Sequence, residues 1–190
     1  MSAFNTSNGF NCLKAAQIAA WFALKEDGQI NRLKLMKLMY LAERESISRY
    51  DMPMLLDKYV SMKHGPVLSQ TYDLAKGEQQ NENWDSWIRS VGGYQLGCVF
   101  EGTPNFDALS KADINVLQAV WDEYGHLDRF ELAKKTHEES ICPEWEDPGD
   151  SAFPIPLKRI LHLMNKEKSD ELADEIEAYR NLSETLNRPT

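Results

Sequence analysis

One stretch constrains this chain more than any other. Leu33 to Leu41 reads LKLMKLMYL: Leu33, Leu35, Met36, Leu38, Met39, Tyr40 and Leu41 cover most of a helix's circumference. Lys34 and Lys37, three apart, share the remaining polar strip. A helix apolar nearly all round has to be enclosed by the rest of the chain. The spacing therefore predicts a central helix from Arg32 to about Tyr50, capped by Asn31 and interrupted by Asp51 and Pro53. A chain of 190 residues can wrap such a helix in one core without disulfides or a metal.

Other helices are expected around it. Leu13–Leu24 carries Ala16, Ala19, Ala20 and Ala23, so a neighbour can pack close against one side. Val67–Ala75, Ala112–Tyr124 (capped by Ser110) and Arg129–His137 (starting near Asp128) follow. After Pro154 and Pro156 come Leu157–Asn165 and Asp170–Leu186, the latter with Leu172, Ile176, Tyr179, Leu182 and Leu186 on one narrow face. Gly92-Gly93, between Trp84–Val91 and Tyr94–Phe100, predicts one hairpin. Leu55–Lys63 fits helix or strand, and Gly65-Pro66 breaks the chain. The expectation is a mainly α protein: a compact helical domain with one small β-hairpin and a C-terminal helical extension. Its boundaries fall at 1–11 (flexible N-terminus), 12–153 (main domain) and 154–190 (extension).

Charge and composition disfavour several functions. With 21 basic and 30 acidic residues the net charge is -9, which repels phosphate backbones and attracts basic partners. Cys12, Cys98 and Cys142 form no disulfide framework, the N-terminus lacks a signal-peptide pattern, and no apolar run approaches a membrane span. A reducing cytoplasm is the expected compartment. His137 and Cys142 lack the second ligand pair a zinc site wants. No nucleophile elbow and no phosphate-binding glycine loop is present. FELAKKTHEES, from Phe130, resembles the first half of a helix-turn-helix, but acidic, proline-broken ICPEWEDPGD stands where a recognition helix belongs. Neither an enzyme nor a cofactor is expected.

Trp84, Trp87, Tyr94 and Trp145 lie in or beside loops and the hairpin. Such side chains dominate binding hot spots, and they also fill cores; sequence leaves both roles open.

Several segments occur in a telling order: LKLMKLMYLAE (Leu33–Glu43), HGPVLSQTYD (His64–Asp73), the W/GG hairpin, LSKADINVLQAVWDEYG (Leu109–Gly125) and ELAKKTHEESICPEW (Glu131–Trp145). This series resembles the Panacea domain, the SocA-type and phage-associated antitoxin-like family, over about residues 12–146. The resemblance implies neutralisation of a cognate toxin by direct protein binding, with a proteolytic adaptor or phage-associated regulator as the alternative. The motif positions are Leu35, Lys37, Leu38, Tyr40, Ala42, Gly65, Pro66, Val67, Tyr72, Leu109, Ser110, His137 and Trp145. Met36 and His64 depart from the pattern. Leu35, Leu38 and Ala42 read as core; Lys37, Tyr40, Tyr72, His137 and Trp145 are polar or amphipathic, and form a shared network or face the partner. The expected partner-binding set is Lys37, Tyr40, His64, Tyr72, Trp84, Trp87, His137, Glu144, Trp145 and Glu146. The acidic run 138–150 and the loop Glu78–Asn83 are expected to meet a basic toxin surface, and residues 170–186 a protease or a second copy. Neither nucleic acid nor membrane is an expected partner.

Overall fold

A computed structural model of the chain describes residues 9–102 and 104–186. Positions 1–8 of the expected flexible N-terminus lie outside the described residues, as does the Leu186 side chain. The central helix is α2 (Arg32–Tyr50), with Asn31 Oδ1 accepting from Leu33 N at 3.0 Å and Asp51 ending it in the left-handed conformation. Residues 34–43 of α2 are all buried. α1 (Cys12–Lys25) lies against it, and its Ala15, Ala16, Ala19, Ala20 and Ala23 are fully enclosed, as thin side chains at a close helix contact should be. α5 (Lys111–Tyr124) and α6 (Arg129–Lys135) also pack on α2; Ser110/Asp113 and Asp128/Glu131 form reciprocal capping boxes at their N-termini. α3 (Ser69–Lys76) and the short α4 (Glu82–Asp85) lie between α2 and α5 in sequence.

The strands overturn the expected fold class. Among the described residues the chain is 51% helix and 13% strand, with two three-stranded antiparallel sheets. It is a mixed α/β domain, not a mainly α domain with one hairpin. The first sheet has the order β1 (Gln29–Asn31), β5 (Gln95–Cys98), β4 (Ile88–Gly92), with Ile30 opposite Leu96. The second runs β3 (Gly65–Leu68), β2 (Tyr59–Met62), β6 (Phe153–Ile155), with Tyr59 opposite both Leu68 and Ile155. Pro66 and Pro154 fall on its two edge strands, where a missing N–H is tolerated. In the hairpin the turn falls at Gly93-Tyr94, one residue later than expected, both with positive φ, and the register slips between Ser90 and Gly92.

The segment after β6 folds back onto the domain. α7 (Leu157–Leu163) buries Leu157, Ile160 and Leu161, and α8 (Ser169–Leu186) buries Ala173 and Ile176. Arg180 of α8 donates from Nε to Leu56 O (3.1 Å) and from Nη2 to Asp57 O (3.0 Å). Asp57 is itself buried and accepts from the amides of Gln70 and Thr71 (3.0 and 2.9 Å), capping α3 from outside the helix.

Glu43 of α2 holds the same loop from the other side. Its carboxylate accepts from Met54 N (3.2 Å), Leu55 N (2.8 Å) and the Tyr59 hydroxyl (3.0 Å). Burial raises its pKa from 4.5 to about 7. A raised acid pKa means that the folded state holds the proton more tightly, so this contribution is full below about pH 4.5 and fades as pH rises through about 7. Glu43→Gln removes the titration; urea denaturation from pH 4.5 to 7.5 is expected to show wild type losing on the order of 3 kcal/mol more than the variant across that window. Parallel curves would contradict this.

Candidate functional site

The polar side chains of α2 reach one turn and one loop. Lys37, fully buried, donates from Nζ to Pro66 O at 2.8 Å, just after the β2–β3 turn. One helical turn on, Tyr40 donates to Glu144 Oε1 at 2.7 Å, and Arg44 binds the other oxygen of Glu144. Glu144 is 0% exposed, and Tyr40 and Arg44 between them occupy both of its carboxylate oxygens. Trp145, next in sequence, donates from Nε1 to Met62 O at 3.0 Å. His137 stacks on the Trp145 ring, with centroids 4.1 Å apart and planes at 13°. Burial, then the Lys37 ammonium, lowers the His137 pKa and favours the neutral ring. Burial lowers the Lys37 pKa to about 7.

Gly65 makes this latch possible. Its φ is +94°, and a Cβ there would strike Thr136 Oγ1 and come within 3.1 Å of Lys37 Nζ and 3.2 Å of His137 Cδ2. Only a residue without a side chain lets the turn close on α2 and the end of α6.

The outer side of the turn borders a cleft of about 440 Å³. Leu33, Met36, Met62, Val67 and Tyr72 give it an apolar lining, with His64 at the turn. Tyr94, from the hairpin, and Phe130, from the first turn of α6, stand at it 72% and 64% exposed. Among the described residues the charged side chains lining it are Arg32, Lys37, Lys63 and Arg129, with no carboxylate.

The sequence profile of the antitoxin SocA-like Panacea domain matches residues 35–146, more than half of the chain. The chain belongs to the Panacea-domain family. No curated protein and no solved structure matches it. Among the described residues, no helix is long and apolar enough to cross a membrane.

The Panacea match runs from α2 to the latch tryptophan, so it takes in the latch and most of the cleft lining. Of the residues expected at a partner surface, Lys37, Tyr40, His137, Glu144 and Trp145 come together in the latch, where Lys37, Tyr40 and Glu144 are buried. His64 and Tyr72 line the cleft. Trp84 is 2% exposed, on α4 against α1. Trp87 is half-buried, stacked on Phe106 and edge-on to Phe100. Glu146 is exposed and pairs with Arg159. Arg32, Arg44, Arg129 and Phe130 belong to the site but were not expected there. Arg44 had a readable signal, lying four residues after Tyr40 on one helix face. Arg129 and Phe130 had none, since a position just after a helix cap reads as solvent.

The close approach at Gly65 can be separated from its backbone strain. Gly77 also has positive φ (+76°), but a Cβ there would meet nothing within 4 Å. Gly77→Ala is expected to cost about 1 kcal/mol, and Gly65→Ala at least about 2 kcal/mol, as shifts in urea midpoint. Equal costs would show that the turn does not depend on that contact.

Proposed function

We propose that this protein is an antitoxin that neutralises a cognate protein toxin by direct, non-covalent binding and catalyses no reaction. The observation that carries this reading is the place of the matched region in the fold. Residues 35–146 build a buried latch that holds one wall of an open apolar cleft, an arrangement suited to binding. A cytoplasmic location agrees with three cysteines that are all free. The acidic run 138–150 is a weaker candidate for contact with a basic toxin surface. Four of its six carboxylates already pair within the chain: Glu138 with Lys135, Glu144 with Arg44, Glu146 with Arg159 and Asp150 with Lys63. That leaves the run little field to offer a partner.

The test is co-expression with the product of the adjacent gene. Growth arrest by the neighbour alone, rescue by this protein, and co-elution of the two as one complex are the expected outcomes. A harmless neighbour that never co-elutes would count against the antitoxin reading.

A second reading, an adaptor that presents a toxin to a protease or pairs with another copy, draws on α8. Tyr179 and Leu182 stand 54% and 56% exposed on that helix. Under the antitoxin reading, Tyr179→Ser with Leu182→Ser leaves neutralisation intact. Loss of rescue with an unchanged melting temperature would favour the adaptor.

A further inference from the structure

The cleft between the β2–β3 turn, the hairpin tip and α6 carries charge opposite to the chain's own. The net charge is -9, yet among the described residues every charged side chain lining the cleft is basic. Arg32 lies over the Tyr94 ring (5.1 Å to the centroid) and Arg129 over the Phe130 ring (4.5 Å). Neither arginine has a carboxylate within ion-pair distance among the described residues, whereas Lys63 pairs with Asp150. Two aromatic rings are thus each covered on one side by a guanidinium and largely exposed to solvent.

The hairpin adds an independent sign. Tyr94 occupies the left-handed region at φ +62°, in a turn where glycine or asparagine would sit without strain. Its carbonyl accepts from Arg32 N at 2.8 Å, which fastens the tip to the start of α2. A bulky aromatic held in this conformation and left 72% exposed contributes little to the fold it strains.

We propose that this cleft is the docking groove for an acidic segment of the partner, which inserts an aromatic or aliphatic side chain between Tyr94 and Phe130 and sets carboxylates against Arg32 and Arg129. The partner's identity as a toxin rests on the antitoxin reading; the chemistry of the segment rests on the cleft alone. The apolar lining takes the anchor, and the two arginines fix its orientation and speed encounter. A nucleic-acid ligand fits less well, because the chain's net charge of -9 repels phosphate backbones.

The test can be run before any partner has been identified. Random dodecapeptides displayed on phage are selected on the immobilised full-length chain. Binders are then titrated against wild type, Arg32→Glu/Arg129→Glu, Phe130→Ala and Tyr94→Gly, with Lys111→Glu as a control outside the cleft. The expected result is enrichment of Asp and Glu around a Phe, Trp or Leu. Affinity should fall about tenfold or more in each cleft variant, not in the control, and should weaken with salt. Tyr94→Gly discriminates best: affinity falls while melting temperature holds or rises, whereas a purely structural tyrosine would lower both. Four results would overturn the proposal: basic peptides enriched; binding indifferent to the cleft variants; a dimer in gel filtration that Phe130→Ala dissolves; or a labelled single-stranded RNA that binds wild type and is lost with the arginines. Co-expression separates the two readings. Rescue by wild type and cleft variants alike removes the groove and leaves the antitoxin; cleft-dependent acidic peptides without rescue remove the antitoxin and leave the groove.

Discussion

The structure depends on how α2 places its polar side chains. Its apolar surface draws the other elements around it, but hydrophobic contact alone is non-directional and would not fix their positions. The buried polar groups supply the direction, and nearly all of them reach outside the helix. Lys34 donates to Gly125 O (2.7 Å), Lys37 to Pro66 O, and Ser46 to Met52 O (2.7 Å). Tyr40 and Arg44 hold Glu144, and Glu43 accepts from the 54–55 amides. Each contact satisfies a group that would be costly to bury alone, and all but the Lys37 bond to β3 tie a loop or a helix end to the central helix. The connections of this domain are ordered by the helix they surround.

The latch and the cleft follow from the same arrangement. The β2–β3 turn can border an open cleft because its inner side is held by Lys37 and, through Gly65, pressed against Thr136 and His137. A binding surface backed in this way loses little conformational freedom when a partner arrives. The hairpin tip differs. It reaches the start of α2 through one backbone hydrogen bond, and it carries strain in a residue whose ring lies largely in solvent.

Sequence made the helical part legible because its signals are local. The all-round apolar stretch, the Asn31 and Ser110 caps, and the glycines and prolines that end helices each act within a few residues. The strands were largely hidden. β1 and β6 have three residues each, too few for an alternating pattern, and β3 and β6 contain a proline that argues against a strand unless it lies on an edge. The motif order located the latch residues Lys37, Tyr40, His137 and Trp145. It could not name their partners, because Lys37 reaches Pro66, 29 positions on, Tyr40 reaches Glu144, 104 positions on, and Trp145 reaches back 83 positions to Met62. Nor could it distinguish Trp84, which packs inside, from Tyr94, which faces out, since both sit beside turns. The acidic run was legible only in part: its charge is evident in sequence, but its basic counterparts are scattered from Arg44 to Arg159.

The Arg180 contacts bear on the order in which the domain can be completed. This side chain closes on carbonyls 124 and 123 positions earlier, in the loop that also caps α3 and receives Glu43. During synthesis α1, α2 and the hairpin leave the ribosome long before α8 exists, and for that interval the loop's carbonyls are satisfied by water. The nascent chain therefore passes through a stage with this clasp open, in which the 56–57 segment is held from the α2 side alone.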